Sequence, residues 1–300
     1  MEILYGIENH YVNVTSICLS KLNYNDIITI PAGDINRSNY FTDHLYGIHK
    51  NVRIIHDNQF TTYDAYCTIK IDLVNNTITT ITNNDDIDNK VTALQSKLDM
   101  KYGTFMEELP EQKMAVRYLT GKENVLEIGG NIGRNSLIIA SLLESTKQLV
   151  TMECDENIAS QLTENRDLNH FQFHIECAAL SKRQLIQKGW DTLPSDILLD
   201  GYKKVNTITL DELRAKYNIT FDTLVLDCEG AFYYILIDMP EILDNINLII
   251  MENDYWDASH KEYVNKILSE NGFHVDYREA GGWGPCYDCF FEVWTKKCLS

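Results

Sequence analysis

Residues 125–133 read Val-Leu-Glu-Ile-Gly-Gly-Asn-Ile-Gly. A short apolar run enters a glycine-rich turn, and Ser136 to Leu143 (SLIIASLL) follows with the density of a buried helix, so the stretch predicts strand, tight turn and helix from about Arg134. Gly129, Gly130 and Gly133, with Asn131 between them, would let the backbone approach a ligand at a helix amino end, where free N–H groups point outward. A nucleotide-like ligand is expected there. The spacing is GGxxG, not the GxGxxG of dinucleotide sites, and Glu127 stands two residues before the first glycine. A carboxylate in that place is poor for a pyrophosphate and suits the ammonium of an amino-acid moiety. Twenty residues beyond Gly133, Glu153 ends the next apolar run, where an acid can take the hydroxyls of a ribose.

The alternation continues to the carboxyl end. Strands are expected at 124–128, 148–153, 171–177, 223–227, 247–252, 274–277 and 290–295, and helices from near Gly133, Asp155, Asp211, Ala231 and Ala258, the last stopping at Gly272. This pattern predicts an α/β fold, a Rossmann-like, mostly parallel sheet covered by helices on both faces. The last two strands, joined by a Gly/Pro-rich segment, should form a C-terminal antiparallel hairpin. Apolar spacing at Val91, Leu94 and Leu98, and again at Met114, Ala115, Tyr118 and Leu119, adds two helices before Gly121. Upstream, 52–56, 66–73 and 77–81 read as short strands, and the polar run 82–89 (TNNDDIDN) as a linker. Two domains are expected, a small β-rich one over 1–85 and the α/β one over 90–300.

The 300 residues carry 26 Lys and Arg against 44 Asp and Glu, a net charge of −18 at pH 7, with no basic segment set apart. Such a chain lacks the cationic surface that drives nucleic-acid affinity and is repelled by anionic membranes. No apolar run approaches membrane-spanning length, and the first residues show no secretory leader, so a cytoplasmic protein is expected, in host cytoplasm if viral. The eight cysteines are scattered, and Cys286 and Cys289 form a lone CxxC, a weak signal for zinc or redox chemistry. The abundance of Asn, Ile and Tyr suits a low-GC source such as a large DNA virus or a low-GC microbe.

Oxygen-bearing side chains gather at two strand ends. Asp227 and Glu229 close one strand, and Glu252, Asn253 and Asp254 the next, which places them along the edge where open α/β sheets bind ligands. Asp227, Glu252 and Glu229 are the candidate catalytic groups. An unshifted carboxylate is a poor base for an alcohol. Either Asp227, Glu252 and Asn253 hold a divalent cation, Mg2+ or Mn2+, that acidifies the bound hydroxyl, or a desolvated carboxylate or a histidine (His260, His274) acts alone. Glu229 is also placed to cap the helix after Gly230. Tyr233, Tyr234, Tyr255, Trp256 and Trp283 offer flat faces for a sugar ring, or simply core packing.

Glu127, the Gly129–Gly133 turn and Glu153 together resemble the S-adenosyl-L-methionine site of class I methyltransferases. TITLDEL (207–213), FDTLVLDCEGAFYYIL (221–236) and the apolar strand ending IIMEND (249–254) are similar to the FkbM family, over residues 121–296. The sequence departs from that family at Val225, where Lys is frequent, and at Phe232, where Glu is frequent. The resemblance implies S-adenosyl-L-methionine as cofactor, adenine beside Ala178 and Ala179, and O-methylation of a sugar or glycan. Methylation of another small-molecule hydroxyl, a nicotinamide oxidoreductase, and a non-catalytic glycan-binding or scaffold protein are the alternatives. Partners expected are a sugar or glycan acceptor, with a homodimer or association with glycan-processing enzymes, and neither nucleic acid nor membrane.

Overall fold

The computed structural model describes residues 1–45, 48, 50–56, 59–65, 67–189 and 191–296. Tyr66, the first residue of an expected strand, and Cys298 lie outside them. The chain divides into two compact units, Met1–Lys90 and Val91–Ser300.

The first unit holds β1 (Glu2–Ile7), β2 (His10–Asn13), α1 (Thr15–Lys21), β3 (Asn23–Tyr24), β4 (Ile27–Ile30), α2 (Asp34–Phe41), β5 (Asn51–His56), β6 (Gln59–Tyr63), β7 (Cys67–Asp72) and β8 (Thr77–Thr82). The strands form two antiparallel four-stranded sheets, β2-β1-β5-β6 and β3-β4-β7-β8. Alternation puts Ile3, Tyr5, Val52 and Ile54 of one sheet and Ile28, Ile30, Ile69 and Ile71 of the other in a common core. Two short helices, α1 and α2, accompany the strands of the expected β-rich domain. A buried cation is held largely by backbone: the Arg37 guanidinium donates to the carbonyls of Pro31, Asp64 and Cys67 at 2.9, 2.6 and 2.7 Å. Over the expected linker the chain is helical: Thr82 ends β8, α3 (Asn83–Gln95) starts at once, and the division between the two units falls within it.

The second unit continues with α4 (Leu109–Tyr118), β9 (Val125–Ile128), α5 (Arg134–Leu142), β10 (Leu149–Met152), α6 (Glu156–Leu168), β11 (His174–Glu176), β12 (Ala179–Leu180), β13 (Leu185–Lys188), β14 (Asp191–Pro194), β15 (Lys203–Val205), β16 (Thr207–Ile208), α7 (Leu210–Tyr217), β17 (Thr223–Leu226), α8 (Phe232–Asp238), β18 (Leu248–Glu252), α9 (Ala258–Glu270), β19 (Phe273–Glu279) and β20 (Phe291–Lys296). Its main sheet runs β11-β10-β9-β17-β18-β20-β19. Neighbours pair in parallel from β11 to β18, whereas β20 is antiparallel to both β18 and β19. This is a Rossmann-like mixed sheet, with the strand order reversing beside β9. Every residue of β9, β10 and β17 is buried, as strands covered on both faces require.

The helices start where capping chemistry allows. Asp155 accepts from the amides of Asn157 and Ile158 ahead of α6, and Thr209 and Glu212 form a capping box on α7. Between β11 and α7 lies an unforeseen insertion. There β13 pairs antiparallel with β14 and β15, and β12 pairs with β16. Its strands are at most four residues long and carry mixed charges, so they leave little periodic signal. No helix among the described residues is long and apolar enough to cross a membrane.

Candidate active site

The glycine turn spends its amides on the protein. Gly129 and Gly130 donate to the Met152 carbonyl at 3.0 and 2.9 Å, and Gly133 donates to the Gly130 carbonyl at 2.8 Å. Asn131 donates its amide to Glu153 Oε2 at 3.0 Å, and Ile132 to Asn131 Oδ1 at 2.8 Å. The amides of the turn itself, from Gly129 to Gly133, are therefore engaged within the protein and do not form a phosphate cradle. The glycines answer to packing. A Cβ on Gly129, whose φ is +92°, would fall 1.5 Å from the Asp227 carbonyl oxygen, one on Gly130 2.2 Å from Thr151 Oγ1, and one on Gly133 2.4 Å from Leu162 Cδ1. Gly129 and Asn131 still line the principal cavity, while Gly130 and Gly133 lie behind it.

That cavity measures about 910 Å3 and opens where β9, β10 and β17 end, at the reversal of strand order. Glu153, Ala178, Ala179, Asp227 and Glu229 all line it, bringing together expected residues spread over 77 positions of sequence. Glu153 is buried and oriented from both sides, accepting the Asp155 amide on Oε1 at 2.8 Å and the Asn131 amide on Oε2. The Cys154 amide also bonds this carboxylate, and a carboxylate's remaining acceptor capacity is open to a ligand hydroxyl. Burial raises its pKa despite those bonds. Arg183 also lines the cavity, but its guanidinium is held by Asp238 at 2.5 and 2.8 Å.

Glu127 sits elsewhere than expected. It is 2% exposed, lies beneath the turn, and accepts from Ser136 Oγ and, at 2.6 Å, from Thr151 Oγ1. Burial lifts its pKa to about 7. It borders a small void of about 10 Å3 next to that cavity, whose wall also contains Glu108, Glu111, Asn135, Asp227 and Glu252. Glu108 and Glu111, at the start of α4, have no counterpart among the candidates drawn from sequence. No motif flags residues more than a hundred positions from Asp227, although a carboxylate at 111, three and four positions before Met114 and Ala115, falls on the buried face of an expected helix.

The strand-end acids divide into two hydrogen-bonded couples. Glu252 turns toward α4 and bonds Glu111; burial and then the nearby Asp227 push its pKa up, and burial raises that of Glu111 as well. Glu252 borders the void and is not part of the lining of the principal cavity. Glu229, exposed and in left-handed backbone at φ +50°, bonds Asp254, whose Oδ1 accepts the Gly230 amide at 2.8 Å. Asp254, and not Glu229, thus takes the backbone amide at the start of α8. Asp227 lies between the couples in the walls of both void and cavity, and desolvation, followed by the charges of Glu108 and Glu111, raises its pKa well above the ordinary range.

The divalent-cation set does not fit. Successive strand residues face opposite ways, and the Asn253 amide is committed across the sheet to the Cys289 carbonyl at 2.5 Å and Glu292 Oε2 at 3.2 Å. Among the described residues no group of three or more His, Cys, Asp or Glu is arranged to hold a metal ion. Cys286 and Cys289 are hydrogen-bonded thiols of a short turn. The aromatic candidates also divide. Tyr255 is core, and Tyr233 stacks on His260 with centroids 3.8 Å apart, whereas Tyr234, Trp256 and Trp283 line the cavity. Trp256 and Trp283 lie 4.3 Å apart, with Trp256 83% exposed.

No family model matches the chain, and no curated protein matches it. Among solved structures it is similar to an O-methyltransferase from Bacillus cereus in complex with SAH (16% identity over 71% of this chain and 90% of that one, TM-score 0.40). It is also similar to the ribosomal protein L11 methylase from Lactobacillus delbrueckii subsp. bulgaricus (12%, 66% and 82%, 0.40) and to a methyltransferase from Pyrococcus furiosus (14%, 73% and 100%, 0.38).

Proposed function

We propose that the second unit is an S-adenosyl-L-methionine-dependent methyltransferase acting on a hydroxyl of a sugar or glycan. The observation that carries the reading is the principal cavity itself: walled mostly by aliphatic and aromatic side chains, with Glu153, Asp227, Glu229 and Asp238 as its acids and Glu153 held in place by backbone amides. Its wall offers Glu153, Asp227 and Glu229 to hydrogen-bond donors, and its Arg183 is already neutralised by Asp238. Such a wall favours a cationic, hydroxyl-rich ligand and opposes a pyrophosphate. The turn, with no amide left for a phosphate, weighs against the nicotinamide alternative for the same reason.

When bound, S-adenosyl-L-methionine would supply an electrophilic methyl group on a sulfonium. Glu153 would hold the ribose hydroxyls, with adenine beside Ala178 and Ala179, which offer only backbone hydrogen bonds. Asp227 and Glu229 would orient the acceptor hydroxyl in line with the methyl group and receive its proton, with no cation in the reaction. The exposed face of Trp256 beside Trp283 suits the apolar face of a sugar ring. The resemblance of residues 121–296 to the FkbM family points to the same acceptor class.

Isothermal titration with S-adenosyl-L-homocysteine tests the cofactor. Binding at micromolar concentration is expected; no heat and no thermal shift at millimolar ligand refutes the reading. Glu153→Ala should weaken that binding about tenfold or more, the loss of a charge-assisted hydrogen bond, whereas Asp227→Asn should spare binding and abolish turnover. The reverse pattern would overturn the assignment of roles.

A further inference from the structure

Asp227 and Gly129 are common to the walls of the small void and the principal cavity. Around Asp227 stand Glu108 and Glu111 from α4, Glu127 from β9, Glu252 from β18, and the Glu229–Asp254 couple from the loops after β17 and β18. Arg134 pairs with Glu108 and is also tied to Glu107, and among the described residues no Lys, Arg or His lines the void.

A second observation is independent of the acids. Asn135 is 6% exposed and in the wall of the void, and its Oδ1 is buried with no hydrogen-bond partner. A void of about 10 Å3 has room for one water molecule. A water donating to Asn135 Oδ1 would connect the carboxyl groups on the void to one another, so that they share protons as one system.

Resting on the methyltransferase reading, we propose that Asp227 is a charge-compensating acid: it releases its proton when the sulfonium enters the cavity and recovers one from the acceptor hydroxyl during transfer. The C–O bond forms as the C–S bond breaks, the electron pair of the broken bond stays on sulfur, and the hydroxyl proton passes to the Asp227 carboxylate. The site then holds the same total charge before and after the step. In the empty cavity, desolvation and the charges of the surrounding carboxyl groups favour the protonated form of Asp227. A positive charge beside it favours the carboxylate, so the base forms only where a methyl donor is in place.

The two forms of the cofactor differ in this charge and share their ribose, adenine and amino-acid groups. Calorimetric titration of the full chain at pH 7, repeated in two buffers of different ionisation enthalpy, counts the protons released by each. S-adenosyl-L-methionine should release about one proton more than S-adenosyl-L-homocysteine, and Asp227→Asn should bind both and lose the difference. Glu111→Gln provides a second readout: with one negative neighbour removed, the extra release should peak at lower pH. Equal proton counts in the unaltered chain, or a difference that survives Asp227→Asn, would overturn the proposal while leaving the cofactor assignment intact. Failure of both ligands to bind would overturn the cofactor assignment and this proposal with it.

Discussion

Replacing Gly130 with alanine separates packing from ligand approach. An added Cβ would lie 2.2 Å from Thr151 Oγ1, with Leu162 Cδ2 and Ser136 Oγ next at 3.4 and 3.5 Å. The Thr151 hydroxyl cannot yield freely, because it donates to the buried Glu127 at 2.6 Å. Overpacking of this kind costs about 1–3 kcal/mol, and a weakened hydrogen bond to a buried carboxyl about 1 kcal/mol more. The second unit should thus lose about 2–4 kcal/mol of stability. All four tryptophans of the chain lie beyond residue 90, so urea unfolding followed by tryptophan fluorescence reports on this unit. Thr151→Ala removes the offending oxygen. The double variant Gly130→Ala/Thr151→Ala should therefore be less destabilised than the two single changes combined, by about 1–2 kcal/mol. Since Gly130 does not line the cavity, affinity for S-adenosyl-L-homocysteine should stay within about threefold in the folded fraction. An unchanged urea midpoint combined with a tenfold loss of affinity would refute the packing assignment.

Three further outcomes are expected. Burial raises Glu108 to about 6 and Glu127 to about 7, so the native state binds more protons than the unfolded chain between about pH 4.5 and 7. The stability of the second unit should accordingly fall as pH rises through that window, and Glu127→Gln should flatten the fall in urea midpoints measured from pH 5 to 8; a midpoint that rises instead contradicts it. Lys261→Met should cost about 3–5 kcal/mol in the same assay, because the wholly buried Glu292 would lose its 2.5 Å partner and keep only Arg278, Trp294 and Asn253. Trp256→Ala should raise the KM for a sugar acceptor severalfold and leave S-adenosyl-L-homocysteine binding unchanged; an effect confined to the cofactor would move Trp256 out of the acceptor subsite.

Local chemistry made much of the second unit readable from sequence. The strands ending at Ile128, Met152 and Leu226 are continuous apolar runs, and the helices beginning at Glu156 and Ala258 follow Asp155 and Asp257, whose side chains accept amides of the first turn. The insertion between Ala179 and Ile208 escaped, because its short strands are held by pairing partners and not by a periodic apolar face. In the first unit, α1 and α2 are seven and eight residues long, too short for helical periodicity to stand above a β-rich background.

For the site, sequence by itself determined which acids close the strands, since a strand's end and its residue types are local properties. Glu153, Asp227 and Glu229 reach the cavity because parallel strands must deliver their carboxyl ends to one edge. Tertiary structure alone decided what each group does there. Strand alternation and the strand opposite sent Asn253 to Glu292, and α4, a helix remote in sequence, supplied Glu111 to Glu252. The glycines of VLEIGGNIG were legible as glycines, but whether they make room for a ligand or for Asp227, Thr151 and Leu162 depends on atoms brought near only by folding. Proton affinity follows the same division: a carboxyl group's chemistry is written in the chain, whereas its desolvation and its charged neighbours exist only once the sheet and α4 enclose it.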